Sequence, residues 1–442
     1  MKRLSKLAYW LFISALAVLI HCDHLINADE GVILNGAWNI FNGREPFTDY
    51  FTFIPPLSSY LVAAAFSLTG AAFWSAKALA IIFVIMGAVA VFRLTKRFGA
   101  RQASYFSPIL FLILTSWHWI INHNFFNLVV ILWAVNFLLS YRERRKMSSF
   151  IVAAFVTGLS IILLQQKGLA FLGAEAVWLL WVENGWKRKF SQVIVFLSIA
   201  LIPLALLFLI FPAKLVFDQL IIFPIFNYIE ANRFSLALFW WAVAGLACLV
   251  WDRRRSSKEE WLLYYIAALL LLSCLPLPDS YHLTIALLPV LPMVVIGMTD
   301  RKTMWTWIYL AIFACLFLYP VSRYASAALE PGMEPGFIEY VKHNCPGAYL
   351  HAGPFFPNAY YETQKLSASS FDILITGHQT RAQFADAAAA IAEKMPICVV
   401  RSFSSSLHRF RYNSDNPVER LIDDKYEPVF EDAWVSVWKM KE

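Results

Sequence analysis

Charge is what this 442-residue sequence has least of. Asp, Glu, Lys and Arg together make up 15% of it, where soluble domains carry about 25%. A soluble chain of this length needs a charged surface on two or three domains, and the residues for one are missing. Glycine (17) and proline (20) are too few for a collagen-like or low-complexity chain, and six cysteines are too few for a disulfide scaffold. No Cys-x-x-Cys or His/Cys cluster has metal-ligand spacing, so no zinc site is indicated. No internal repeat is visible.

Apolar sequence is plentiful. Hydrophobic residues reach 59% and aromatics 16%, which points to a multi-span membrane protein. A spanning helix needs about 20 mostly apolar residues. Runs of this kind fall near 6–21, 75–92, 103–121, 125–140, 147–164, 168–183, 191–211, 235–251, 261–276, 283–299 and 303–321. The stretch 147–183 is too long for one span. Gln165, Gln166 and Lys167 break it, so it reads as a helical hairpin. The run 57–72 follows Pro55-Pro56 and is too short to cross, so it reads as interfacial or re-entrant.

Basic residues set the orientation, because Lys and Arg collect in cytoplasmic loops. With eleven spans and 57–72 not crossing, 20 of the 37 basic residues fall inside, in 2–6, 93–101, 142–146, 187–189, 253–258 and 301–302. The outside loops before residue 322 hold Arg44, Lys77, Lys167, Lys214 and Arg233. The N-terminus is then cytoplasmic and the first span uncleaved, since no small-x-small site follows it. The net charge of +7 thus records orientation in a membrane and gives no reason to invoke nucleic acid.

Beyond residue 321 the texture changes to 12 basic and 15 acidic residues. Helices are expected at 335–343, 380–394 and 417–424, strands at 348–352 and 397–401, and a hairpin or strand pair over 428–439. This is a small α/β domain, extracytoplasmic by parity. The expected division is 1–321 for the membrane domain, with a large first outer loop over 22–74, and 322–442 for the outer domain. Cys345 and Cys398 both fall in that domain, where a disulfide could form or two thiols remain free.

The unusual polar segments all open to the outer side. They are 23–56, Asn122-His123-Asn124, Gln165-Gln166-Lys167, 214–233 and Pro278-Asp279-Ser280-Tyr281-His282. Two of these turns are so short that Lys167 and His123 lie near membrane level, where ionisable groups are costly unless used. In the first loop, Val32, Ile33, Ala37, Ile40 and Phe41 suit an amphipathic interfacial helix from about residue 29 to 41, anchored by Trp38. Asp29 and Glu30 then stand at its start, where the helix dipole favours an ionised carboxylate. Asp49 and Tyr50 follow in the same loop. Glu175 lies inside a span and reads as a structural carboxylate facing the bundle.

The order of these motifs carries a family resemblance. A first span is followed by Asp29-Glu30-Gly31, Gly36-Ala37, Asn42-Gly43 with Pro46-Phe47, Asp49-Tyr50-Phe51 and Pro55-Pro56-Leu57 with Tyr60, then a basic-ended span. This resembles the GT-C glycosyltransferases. Within them it is similar to the bacterial dolichyl-phosphate-mannose protein mannosyltransferase-like group (glycosyltransferase families 39 and 83), which includes the lipid A aminoarabinose transferases. The resemblance implies an all-α polytopic domain of about eleven helices with outer juxtamembrane helices, plus the C-terminal α/β domain. It also implies transfer, with inversion, of a sugar from a polyprenyl-phosphate carrier to a lipid, glycan or protein acceptor of the cell envelope. The place of action would be the outer face of the bacterial inner (plasma) membrane.

The expected catalytic group maps to Asp29, with Glu30 adjacent. A carboxylate suits the task, since an acceptor hydroxyl must lose its proton. The leaving lipid phosphate wants cations or donors, for which Lys167, His282, Arg233 and Arg44 are candidates. Asp49, Tyr50, His123, Asn124 and Tyr281 are candidates for substrate contact. A divalent metal is optional, and the absence of an Asp-x-Asp pair weakens a metal-bound nucleotide-sugar reading. The sequence departs from the pattern at Ile54, where the aminoarabinose branch has Lys, and at Asn122–Asn127, where the group often has an acid. The rival readings are a lipid or polysaccharide transporter or flippase without catalysis, and an O-antigen ligase or polymerase, for which the 212–234 loop is too short.

Overall fold

The computed structural model describes residues 2–22, 28–99, 102–228, 236–252, 256–275, 277–299, 307–311, 314, 335–402, 412–431 and 435–442. Arg233, most of the eleventh apolar run and the expected boundary at 321/322 lie outside the described residues. The chain forms two compact units. One comprises 1–23, 77–207 and 234–326; the other comprises 24–76, 208–233 and 327–442.

The first unit is helical. Among the described residues, four helices are long and apolar enough to cross a membrane: Phe73–Arg97, His123–Arg144, Trp186–Ile210 and Ser280–Met298. The other expected spans among the described residues are shorter, for instance Ser5–Ile20, Met147–Leu163 and Ala237–Trp251. The 147–183 run is a hairpin as expected, Met147–Leu163 then Gln165–Val182, with Leu164 extended between them. Its two arms pack closely because Gly168 lets one backbone approach the other: a Cβ there would stand 2.4 Å from Ile161 Cα. Small residues do this at membrane helix contacts generally. Glu175, fully buried, accepts a hydrogen bond from Thr157 Oγ1 across the hairpin (2.7 Å), which gives it the structural role expected.

At the loops read as cytoplasmic, buried Glu183 gathers Arg142 (3.0 Å), Arg145 (2.7 Å) and Arg188 (3.4 Å). These arginines therefore pin loops together. Arg97 similarly meets Glu143 at 2.8 Å.

The second unit draws three chain segments together. The first-loop helix runs Ala28–Phe41, and Leu57–Thr69, at 13 residues, is too short to span. The 212–234 stretch, expected as a loop, is helical where described: Ala213–Phe217, then π-helical turns at Asp218–Ile222 and Pro224–Tyr228. Gln219 of the first π turn donates to Phe47 O (2.9 Å) and accepts from Thr52 N (2.9 Å), tying this segment to the first loop.

The C-terminal segment is the α/β fold expected from its texture. Its strands are β1 (Tyr349–Gly353), β2 (Leu366–Ser367), β3 (Cys398–Ser402), β4 (Tyr426–Glu431) and β5 (Val435–Met440). The sheet order is β2-β1-β3-β5-β4. β1 is parallel to β2 and β3, while β3–β5 and β4–β5 are antiparallel. A capping box at Thr380 and Gln383 starts the Arg381–Lys394 helix.

Cys345 and Cys398 are disulfide-bonded. The bridge joins the end of Pro335–Asn344 to β3 inside the core of Phe337, Val341, Leu350 and Val437. It closes a loop of 53 residues, so chain-entropy arguments give about 4 kcal/mol of stabilisation. Replacing both cysteines with serine is expected to lower the unfolding free energy of this segment by about that amount. Denaturant titration of the oxidised parent against the double variant measures it.

Candidate functional site

The functional side chains fall into two groups, one in each unit. In the second unit, Asp29 and Glu30 occupy the first turn of the Ala28–Phe41 helix. Asp29 is half-buried and Glu30 is buried. The adjacent Gly31 is required by packing, since a Cβ there would stand 2.7 Å from the Asn358 Cβ. The helix dipole at the first turn favours an ionised carboxylate at Asp29.

The same helix presents Asn35 and Asn39, one turn apart, to Asp372 of the C-terminal segment. Asp372 Oδ2 accepts from Asn35 Nδ2 (2.6 Å) and Asn39 Nδ2 (3.0 Å). Arg44 completes the chain by donating to Asn39 Oδ1 (3.0 Å) and to the Asp49 carbonyl (2.5 Å). Arg44 is thereby committed to ordering the first loop. Asp49 is exposed and its Oδ2 accepts from Glu45 N (2.8 Å), which makes it a turn residue and leaves cavity lining to its neighbour. Tyr50 is buried, and with Val32, Ile33, Gly36, Ser59 and Asp372 it lines a cleft of about 610 Å³, open mouth included. Asp372 was not among the candidates from sequence.

Burial pushes the Asp372 carboxyl from its usual 3.8 up to about 6, against the pull of Arg44 and of the hydrogen bonds it accepts. Burial likewise pushes Glu362 up to about 7, opposed by its bond from Asn358 and by Lys342. The folded unit therefore holds these protons more tightly than the unfolded chain does. Stability from both groups is present at about pH 4 and is lost as pH rises through 6 and 7. The loss from Asp372 amounts to no more than about 3 kcal/mol. Melting temperatures measured from pH 4.5 to 8 should fall across this window, and Asp372→Asn should flatten the acidic part of the slope.

In the first unit, a polar cluster forms where three helices begin. Asn122 caps His123–Arg144 by accepting from Asn124 N (2.8 Å), and Asn124 Nδ2 lies 3.0 Å from His123 Nε2. Asp279 caps Ser280–Leu287 by accepting from His282 N (2.9 Å). Its carboxylate also holds the His282 ring, Nδ1 to Oδ1 2.8 Å, which fixes the tautomer and leaves Nε2 as the other ring nitrogen. Lys167, in the first turn of Gln165–Val182, is 1% exposed. Its Nζ has no hydrogen-bond partner among the described residues. It lies within electrostatic range of His118, His123, Asp279 and Cys274.

His118 is a residue the sequence reading passed over. It is buried, and neither ring nitrogen has a partner among the described residues. Its ring packs on Trp117 (centroids 4.0 Å) and Tyr281 (5.0 Å). An ionisable group within an apolar run was the available signal. Tyr281 donates to the Trp119 carbonyl (3.2 Å) and packs among these rings, so it shapes the cluster. Among the described residues no three His, Cys, Asp or Glu side chains are grouped to hold a metal ion.

Comparison with known proteins fits this architecture. The family model for dolichyl-phosphate-mannose-protein mannosyltransferase matches residues 54–211. That segment contains His123, Asn124 and Lys167 but not Asp29. No curated protein matches the chain in sequence. Two solved structures of ArnT from Cupriavidus metallidurans share its fold. The form bound to undecaprenyl phosphate has TM-score 0.63 and 12% identity over 97% of both chains. The apo form has TM-score 0.64 and 13% identity over 99% of this chain and 98% of that one. The Archaeoglobus fulgidus oligosaccharyltransferase, tethered to an acceptor peptide with the NVT sequon, has TM-score 0.57 and 12% identity. It is matched over 99% of this chain and 74% of its own. The chain therefore has the fold that these ArnT and oligosaccharyltransferase structures share.

Proposed function

We propose that this protein is an inverting glycosyltransferase that moves a sugar from a polyprenyl-phosphate carrier to a cell-envelope acceptor: a lipid, a glycan or a protein. The place of action is the extracytoplasmic face of a bacterial inner membrane. The observation that carries the reading is Lys167, a buried cation with no hydrogen-bond partner among the described residues and with His118 and His123 close by. A buried ammonium without a partner is costly, and an anionic ligand relieves that cost. A lipid phosphate has the required charge at membrane level. The shared fold with an ArnT structure that holds undecaprenyl phosphate supports that choice of anion.

In this reading Asp29 accepts the proton of the acceptor hydroxyl. The hydroxyl oxygen attacks the anomeric carbon, the bond from that carbon to the phosphate oxygen breaks, and the lipid phosphate leaves with the bonding pair. Lys167, His118 and His282 neutralise or donate to the departing phosphate. Arg233, a further candidate for that role, lies outside the described residues. His123 and Asn124 stand beside Lys167 as polar contacts for the donor. The disulfide supports an extracytoplasmic C-terminal segment, because such bonds persist in oxidising compartments.

The test is incubation of the purified protein with a panel of polyprenyl-phosphate sugars and envelope extract, following release of lipid phosphate. Release with one carrier sugar is the expected outcome. Failure with every sugar in the panel favours the transporter reading.

A further inference from the structure

We propose that the cleft in the second unit, with Asp372 as its one charged lining group among the described residues, binds a neutral sugar ring belonging to the glycosyl acceptor. Its role as an acceptor site rests on the transfer reading above; its chemistry as a sugar site does not. The lining combines two kinds of wall. Phe51, Phe53 and the Pro55-Pro56 pair supply apolar surface, while Tyr50, Ser59, Asp372 and Gln379 supply hydroxyl, carboxylate and amide groups. A sugar ring is amphipathic in the same way, with C–H faces for the aromatic side and hydroxyls for the polar side.

The charge of the cleft narrows the ligand. Among the described residues no Lys, Arg or His lines it, so a phosphate finds no cation to pair with there. Asp372 is held in place before any ligand arrives, with Asn35 and Asn39 both donating to Oδ2. A fixed acceptor of this kind discriminates hydroxyl positions at little ordering cost. The polar end is tight: a Cβ at Gly36 would stand 2.5 Å from Ser59 Oγ.

Position links the cleft to the chemistry. Val32, Ile33 and Gly36 of its lining are on the helix that starts with Asp29. Gly36 is about 10 Å along the axis from Asp29. An acceptor ring seated in the cleft can therefore present a hydroxyl, its own or that of the next residue, toward the base.

Saturation-transfer NMR on the full-length protein in nanodiscs tests this. The probes are methyl glycosides of glucose, galactose, mannose and N-acetylglucosamine, with inorganic phosphate as competitor. At least one glycoside should bind, phosphate should not displace it, and Asp372→Ala should weaken it at least tenfold. Ser59→Ala, which leaves the Asn35–Asp372–Asn39 bonds intact, should weaken it several-fold and covers the case in which Asp372→Ala fails to fold. Absence of binding, or binding unchanged in folded Ser59→Ala and Asp372→Ala protein, overturns the proposal. Glycoside binding without lipid-phosphate release would refute the transfer reading and leave the sugar site standing. Release of lipid phosphate without glycoside binding in the cleft would do the opposite.

Discussion

Asp29→Asn should reduce the rate of lipid-phosphate release from a polyprenyl-phosphate sugar by roughly 10²–10⁴-fold, the range for loss of a positioned general base. The neighbouring carboxylate does not compensate. Glu30 is one residue on, about 100° around the helix, and is 1% exposed. Folding should be nearly unaffected. Asn is isosteric with Asp, and the helix-dipole contribution of one exposed or half-buried carboxylate is only about 0.3–1 kcal/mol. The signature is therefore a lost turnover number with an unchanged melting temperature and unchanged donor affinity. Glu30→Gln should show the reverse weighting, with stability moving more than turnover. Full activity in Asp29→Asn protein would remove Asp29 as the base and leave it a residue that favours helix initiation.

Much of the fold was legible because it depends on local pattern. The break at Leu164, just before the polar residues Gln165–Lys167, the short Leu57–Thr69 helix and the strands of the outer segment each follow from run length, turn residues or alternation within about 20 residues. The site was legible in part. Lys167 and His123 stand out in sequence as ionisable groups near membrane level, and Asp29 as a carboxylate at a helix start. Asp372 does not, because what distinguishes it is two hydrogen bonds spanning 333 and 337 residues of chain. Arg44 and Asp49 looked like candidates by type, and their partners show them ordering the loop instead. The grouping of 24–76, 208–233 and 327–442 into one unit is likewise a matter of long-range contact.

Lys167→Met should move stability and function in opposite directions. In the protein without ligand, the buried ammonium lacks a hydrogen-bond partner among the described residues, so its desolvation is uncompensated there. Methionine fills a similar volume with no charge. The variant should unfold at higher temperature in detergent without added lipid, by about 1–4 kcal/mol, the range seen when buried ionic groups give way to apolar ones. Donor use should suffer. A charge-assisted hydrogen bond to phosphate contributes about 1.5–3 kcal/mol, so kcat/KM for the polyprenyl-phosphate sugar should fall roughly 10- to 150-fold, chiefly through KM. A lysine that merely snorkels would change neither quantity, and an exposure of 1% already argues against that role. A lysine that serves only the fold would lower stability and spare KM. His118→Phe separates the cluster further: it keeps the ring packed against Trp117 and Tyr281 while removing both nitrogens. A raised donor KM in that variant, with the protein as stable as before, would assign His118 to the phosphate alongside Lys167.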